Sequence, residues 1–276
     1  MIHAVLVELD AVVDAGRARP GVREALAALR SLEVGAGRPL AVGLVDGGLG
    51  VEGVLERWQE AGLGDVPLDP AAIATAAVAG AAVPDRRLFQ AALRRLGAPA
   101  KLDGCAIVLG DARHADACRS LRMAVLALGA DFVDWRDVPL LLALRLDRPN
   151  LRNLAAALGP RLAPDLVDVS VVGAEAGRIL ARAARWTPLR GGRIPEGVHV
   201  AIPTEVVVRL DPAGRPSAIE AAELEPEALA EAASHVEGLF ARGEVAETGR
   251  PGPGATHVLE TDGRGRRLLR RARFYC

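Results

Sequence analysis

Glu8 and Asp10 stand one residue apart at the end of an apolar run, Ala4-Val5-Leu6-Val7. Carboxylate oxygens so placed can hold a divalent cation that keeps several of its waters. The pattern recurs along the chain. Asp46 closes the run Leu40 to Val45, and Gly110-Asp111 closes the run Cys105 to Leu109, with Asp116 shortly after.

Runs of Val, Leu and Ala without polar alternation are what strands buried on both faces look like, and ligands in open α/β sheets gather at the carboxyl ends of such strands. Between them lie helical patterns. Val22, Ala25, Leu26 and Leu29 share one face of a helix over 23–32 that follows Pro20-Gly21, and Val51 to Ala61 forms a second helix with Trp58 inward. Residues 65–82 are Ala-rich and give no assignable pattern, whereas Pro84-Asp85 opens an amphipathic helix through Leu96. After the strand at 105–109 a helix ends at Met123 and a strand covers Ala124 to Gly129. Alternating strands and helices predict an α/β domain with a parallel, doubly wound sheet.

The opening resembles the first motif of the haloacid dehalogenase (HAD) superfamily of phosphohydrolases, an apolar run followed by DxDGT. Glu8 falls at the nucleophile position and Asp10 at the general acid/base position. Val83-Pro84-Asp85-Arg86-Arg87-Leu88-Phe89 resembles the third motif, KPDPxxF, with Val83 at the lysine position, and Gly110 to Asp116 resembles the fourth, GDxxxxD. Asp46 falls where the family has a phosphate-binding Ser or Thr. The resemblance covers about residues 1–145 and implies a HAD-like, Rossmannoid domain. Few residues separate Asp14 from Pro20, where many relatives insert a cap, so no cap is expected.

The departures run in one direction. Glu8 replaces Asp, Ala11 replaces Gly, Val12 replaces Thr, Asp46 would repel a phosphate, and Val83 cannot neutralise one. Glu8 is one methylene too long, and misplacing a reacting atom by about 1 Å can cost about a hundredfold. The resemblance therefore implies a degraded phosphohydrolase site in a pseudoenzyme that serves as a non-catalytic binding or structural scaffold. The alternative is a Mg²⁺-dependent phosphohydrolase acting on a small phosphorylated metabolite through Glu8. For Mg²⁺ the candidate ligands are Glu8, Asp10 through its backbone carbonyl, Asp111 and Asp116; the same acids equally describe a solvated acidic rim. His114, early in a helix, is expected to face solvent or cap.

With 276 residues, half of them apolar, the chain can bury a sizeable core, and a net charge of −1 gives no overall bias toward nucleic acid or anionic membrane. Lys101 is the only lysine, and the Arg, Ala and Gly content suits a GC-rich bacterial genome. Cys105, Cys118 and Cys276 have no disulfide or zinc spacing and read as free thiols. No signal-like opening and no membrane-length apolar run are present, so a cytoplasmic protein is expected.

Arg148-Pro149-Asn150 marks a boundary between a domain at 1–147 and a second, α+β domain at 148–276. Residues 151–185 read as mostly helical, with Leu151, Leu154, Ala155 and Leu158 on one face. Val198 to Ile202 and Glu205 to Leu210 read as strands, Asp211 to Gly214 as a turn into 217–222, and Glu225-Pro226 as the start of a helix to about Ala241. Gly249 to Gly254 is a Pro/Gly loop, and 255–260 with 266–274 forms a β-hairpin. That hairpin carries Arg264, Arg266, Arg267, Arg270, Arg271 and Arg273. They can track nucleic-acid phosphates, or form a solvated, edge-protecting or partner-facing strand; with so few aromatics to stack on bases the second is preferred. A protein partner or self-association is expected. His199, His235 and His257 are too scattered to be metal ligands.

Overall fold

The computed structural model describes residues 2–35, 37–146, 150–175, 177–247 and 254–272. By internal contacts the chain forms two compact units, Met1–Arg161 with Leu210–Ser217, and Leu162–Arg209 with Ala218–Cys276.

The first unit is α/β. Its strands are β1 (Ala4–Glu8), β2 (Ala41–Asp46), β3 (Ile73–Thr75), β4 (Cys105–Leu109) and β5 (Ala124–Ala127), all parallel and in the order β3-β2-β1-β4-β5. The order reverses at β1, so the carboxyl ends of β1 and β4 frame the crevice where open α/β sheets bind ligands. β1 and β4 are buried along their whole length, as unbroken apolar runs require. Besides two single turns at Leu9–Val12 and Ala76–Ala79, the helices are α1 (Val22–Ser31), α2 (Val51–Glu60), α3 (Arg86–Arg95), α4 (Ala115–Ser120), α5 (Val138–Arg145) and α6 (Leu151–Leu158). Leu88, Phe89, Ala92 and Leu93 of α3 join Leu6, Ile107 and Leu109 in one core. A parallel five-stranded sheet with flanking helices fits a HAD-like, Rossmannoid domain.

Local differences from the sequence reading have physical causes. Strand β3 lies inside the Ala-rich stretch that shows no pattern. Helix α4 ends at Ser120 rather than Met123 because Arg122 adopts a left-handed conformation (φ 65°) that turns the chain into β5. Gly129 (φ 80°) likewise closes off the strand after Ala127. Of the boundary phrase, Arg148 and Pro149 lie outside the described residues. Asn150 caps α6 by accepting from the Asn153 N–H at 2.6 Å, and α6 packs with α1 and α5 in the first unit.

The second unit corrects the reading of 151–185 as helical. Among the described residues of that stretch only α6 and a single 3₁₀ turn after it are helical; β6 (Leu166–Glu175) and β7 (Arg178–Pro188) form a long antiparallel pair. Ala and Arg favour helix locally, but Ile179, Ala181 and Ala183 are buried at a spacing of two with Arg178 and Arg182 exposed, so burial overrides propensity. β8 (Val198–Leu210) is one strand where the sequence suggests two; Pro203 and Thr204 remain paired, in register with Ala184 and Ala183. β9 (Pro216–Ala221) pairs with β8 after the expected turn. Next come α7 (Pro226–Ala241), β10 (Val245–Ala246), β11 (His257–Thr261) and β12 (Arg267–Arg271). The sheet runs β6-β7-β8-β12-β11-β10, with β8–β12 and β10–β11 parallel. Val236 and Leu239 of α7 share a core with Val200, Ile202, Leu259 and Leu269. The hairpin β11–β12 is as expected, but β12 lies inside the sheet, so its arginines protect no edge. Residues 248–253 of the Pro/Gly loop, Arg273, Phe274 and Cys276 lie outside the described residues. No helix among the described residues is long and apolar enough to cross a membrane.

Candidate active site

β1 delivers Glu8 to the crevice, where the chain coils into one helical turn, Leu9–Val12, with Leu9, Ala11 and Val12 buried. Trp135 fixes this turn: its Nε1–H donates to the Ala11 carbonyl at 2.6 Å, and its ring packs edge-on against Phe132. β4 ends against the same turn. A Cβ on Gly110 would fall 2.6 Å from the Asp10 carbonyl carbon and 2.7 Å from the Ala11 nitrogen, so only glycine fits.

That approach lets the Gly110 N–H donate to Glu8 Oε2 at 2.8 Å. Glu8 is only 9% exposed, and His114 Nδ1 lies 3.9 Å from its other oxygen. Burial pushes the Glu8 carboxyl above its ordinary value; the Gly110 bond and His114 pull it down, and Asp10 and Asp111 push it up again. A carboxylate with a raised folded value is destabilising when ionised, and that penalty fades as pH falls from above the folded value through the ordinary range. Glu8→Gln keeps an acceptor for Gly110 and removes the charge. It is expected to raise the Tm at pH 7 and to lose that advantage near pH 4, which paired thermal melts at the two pH values would check.

The other acids at motif positions are held by their own surroundings. Asp10 points outward and pairs with Arg57 of α2 at 2.8 Å, while its carbonyl accepts from Arg19 at 3.4 Å. Asp46, buried, accepts from the backbone N–H of Gly48 at 2.7 Å and of Leu49, folding its own loop. Asp111 accepts from the Arg113 N–H at 2.8 Å and pairs with the Arg113 guanidinium, which holds it below the usual carboxylate range. Asp116 is 97% exposed and pairs with Arg119 at 2.9 Å. Val83 packs against the apolar core, and its backbone lies beside Gly47.

The structure thus brings Glu8, Asp10, Asp111 and His114 to one crevice and leaves Asp116 out of it. His114 turns toward Glu8 rather than to solvent or a cap, and its Nδ1 is buried with no hydrogen-bond partner among the described residues. Arg57, Arg19, Arg113 and Trp135 are the site's other members, and no motif marked them. Of the candidate Mg²⁺ ligands, Asp10 and Asp111 carry ion pairs to Arg57 and Arg113, and Asp116 faces solvent beside Arg119. Among the described residues no three His, Cys, Asp or Glu are grouped to hold a metal.

The remaining candidates are placed as follows. Arg266 pairs with Asp262 at 2.8 Å and Arg267 with Glu247 at 3.7 Å; Arg270 pairs with Glu260 at 3.3 Å and lies over the Trp186 ring. Arg264 donates its backbone N–H to Asp262, and Arg273 is outside the described residues. Cys105 and Cys118 are buried free thiols, pushed by burial up to about 12 and about 11. His235 and His257, distant in sequence, meet edge to face at 6.5 Å.

No protein-family model matches the chain, and no curated protein matches it. Several solved structures resemble part of it, two of which are as follows. One is a HAD family hydrolase from Deinococcus radiodurans R1 with bound phosphate and sodium, 22% identical over 40% of this chain and 44% of that one, at a TM-score of 0.32. The other is an uncharacterized protein from Corynebacterium glutamicum, 17% identical over 46% of this chain and 85% of that one, at a TM-score of 0.34. The match takes in less than half the length of the Deinococcus protein. The HAD-like reading of the first unit rests on its strand order and on the carboxyl-end positions of Glu8, Asp46 and Asp111.

Proposed function

We propose that the first unit is a HAD-like domain without phosphohydrolase chemistry, acting as a binding or structural scaffold through a protein partner or self-association. One observation carries this reading: every acid at a motif position is already engaged by a backbone N–H or a guanidinium of the chain itself. An in-line nucleophile must be ionised and free to advance. Glu8 is held by Gly110, and burial raises its carboxyl above the ordinary value. At the positions where the resemblance puts a hydroxyl and a lysine to receive a phosphate stand Asp46 and Val83, which offer neither a hydroxyl donor nor a positive charge. The ion pairs of Arg266, Arg267 and Arg270 weaken the nucleic-acid alternative. Buried thiols that stay protonated suit a reducing, cytoplasmic setting.

Purified protein with Mg²⁺ is expected to hydrolyse an aryl phosphate, and a panel of phosphorylated metabolites, no faster than the Glu8→Ala/Asp10→Ala double variant. Turnover well above that control, abolished by Asp10→Asn, would establish the phosphohydrolase reading in its place.

A further inference from the structure

The second unit holds a cavity of about 550 Å³ between α7 and the sheet. Its floor is apolar: Val200 and Ile202 from β8, Leu269 from β12, and Val236 and Leu239 from α7. This volume and lining are those of a small-molecule site. The polar groups collect on one side. His257 and Arg271 are directly opposed residues of the β11–β12 ladder, so they project to the same face, and Leu259 opposite Leu269 continues that face into the core. From α7, Glu231 and His235 lie four residues apart and line the same cavity, and the His235 ring meets that of His257.

We propose that this cavity binds an amphipathic monoanion, a carboxylate on an aliphatic body. Arg271 is the recognising group. Its neighbours on β12 are ion-paired, but Arg271 has no carboxylate partner among the described residues, and its planar fork matches a carboxylate. The apolar floor takes the aliphatic body, which gains by leaving water. Glu231 in the lining selects against a dianion, since a second negative charge on the ligand meets a carboxylate instead of a cation. His257 reports the event. It is held below its ordinary value by burial and by the positive neighbours His235 and Arg271, against the pull of Glu244. Its other facing groups are Glu231 across the cavity and the Thr256 hydroxyl, 2.9 Å from Nδ1. A bound carboxylate cancels the Arg271 repulsion and raises the His257 value.

The test is calorimetry of the full chain with decanoate, decanol and decyl phosphate, together with NMR titration of the His257 ring. Saturable decanoate binding is expected, at least about tenfold tighter than decanol or decyl phosphate, with an upward shift of the His257 titration. Arg271→Gln, at an exposed position, should weaken decanoate at least about tenfold and abolish the shift. Ala232→Trp should block the cavity, and circular dichroism confirms that each variant folds. Absence of saturable decanoate binding, equal affinity for decanol, tighter binding of decyl phosphate, or unchanged affinity in Arg271→Gln would overturn the proposal. This inference is independent of the reading of the first unit.

Discussion

Gly110→Ala is expected to destabilise the first unit by about 3 kcal/mol or more, at the upper end of what overpacking costs. The added methyl would sit under 3 Å from three backbone atoms of Asp10 and Ala11, and none of these can swing aside as a flexible side chain would. The turn they belong to is pinned from the other side by Trp135, so relief requires β4 to withdraw from β1. Withdrawal breaks the Gly110 bond to Glu8 and leaves a buried carboxylate unpaired. Urea unfolding followed by tryptophan fluorescence would measure the loss. A variant within about 0.5 kcal/mol of wild type would show that the contact between β4 and the Asp10 turn is not a tight constraint.

Asn153→Ala is expected to cost about 2–5 kcal/mol, because it strands two interior backbone groups at once. Asn153 is 1% exposed; its Oδ1 accepts from the Glu33 N–H at 2.9 Å and its Nδ2 donates to the Glu33 carbonyl at 2.8 Å. One amide side chain thus does for Glu33 what a neighbouring strand would do. Asn153→Asp sets a second oxygen against the Glu33 carbonyl and buries a carboxylate, so it should cost at least as much as Asn153→Ala. If Asn153→Ala and Asn153→Leu melt with wild type, the paired bonds contribute nothing net.

The parallel sheet is legible in the sequence where strands are buried on both faces, since β1, β2 and β4 then carry long apolar runs ending in an acid. β3 is not, because Ile73-Ala74-Thr75 is too short to establish a period within alanines that suit a helix equally. β7 is misread for a related reason: its alternating alanines are small enough to pass for a helix, and only packing against the rest of the sheet reveals their period of two. The motif resemblance singles out Glu8, Asp46, Val83 and Asp111. What spacing cannot reveal is the company each acid keeps. Arg57 lies more than forty residues from Asp10, and Trp135 is 124 residues from Ala11.

The interior position of β12 bears on how the protein is made. β8 is separated from the edge of the β11–β10 pair by a strand that a ribosome supplies only when it reaches residues 267–271. Until then Val198 and His199, at the start of β8, lack their partner strand, and the apolar side chains of α7 lack the Leu269 surface they finally cover. The first unit's central strands, by contrast, are all encoded before residue 128 and can assemble while synthesis continues. During translation the second unit is therefore the aggregation-exposed part of the chain, with a vulnerable interval whose length is set by elongation from β8 to β12.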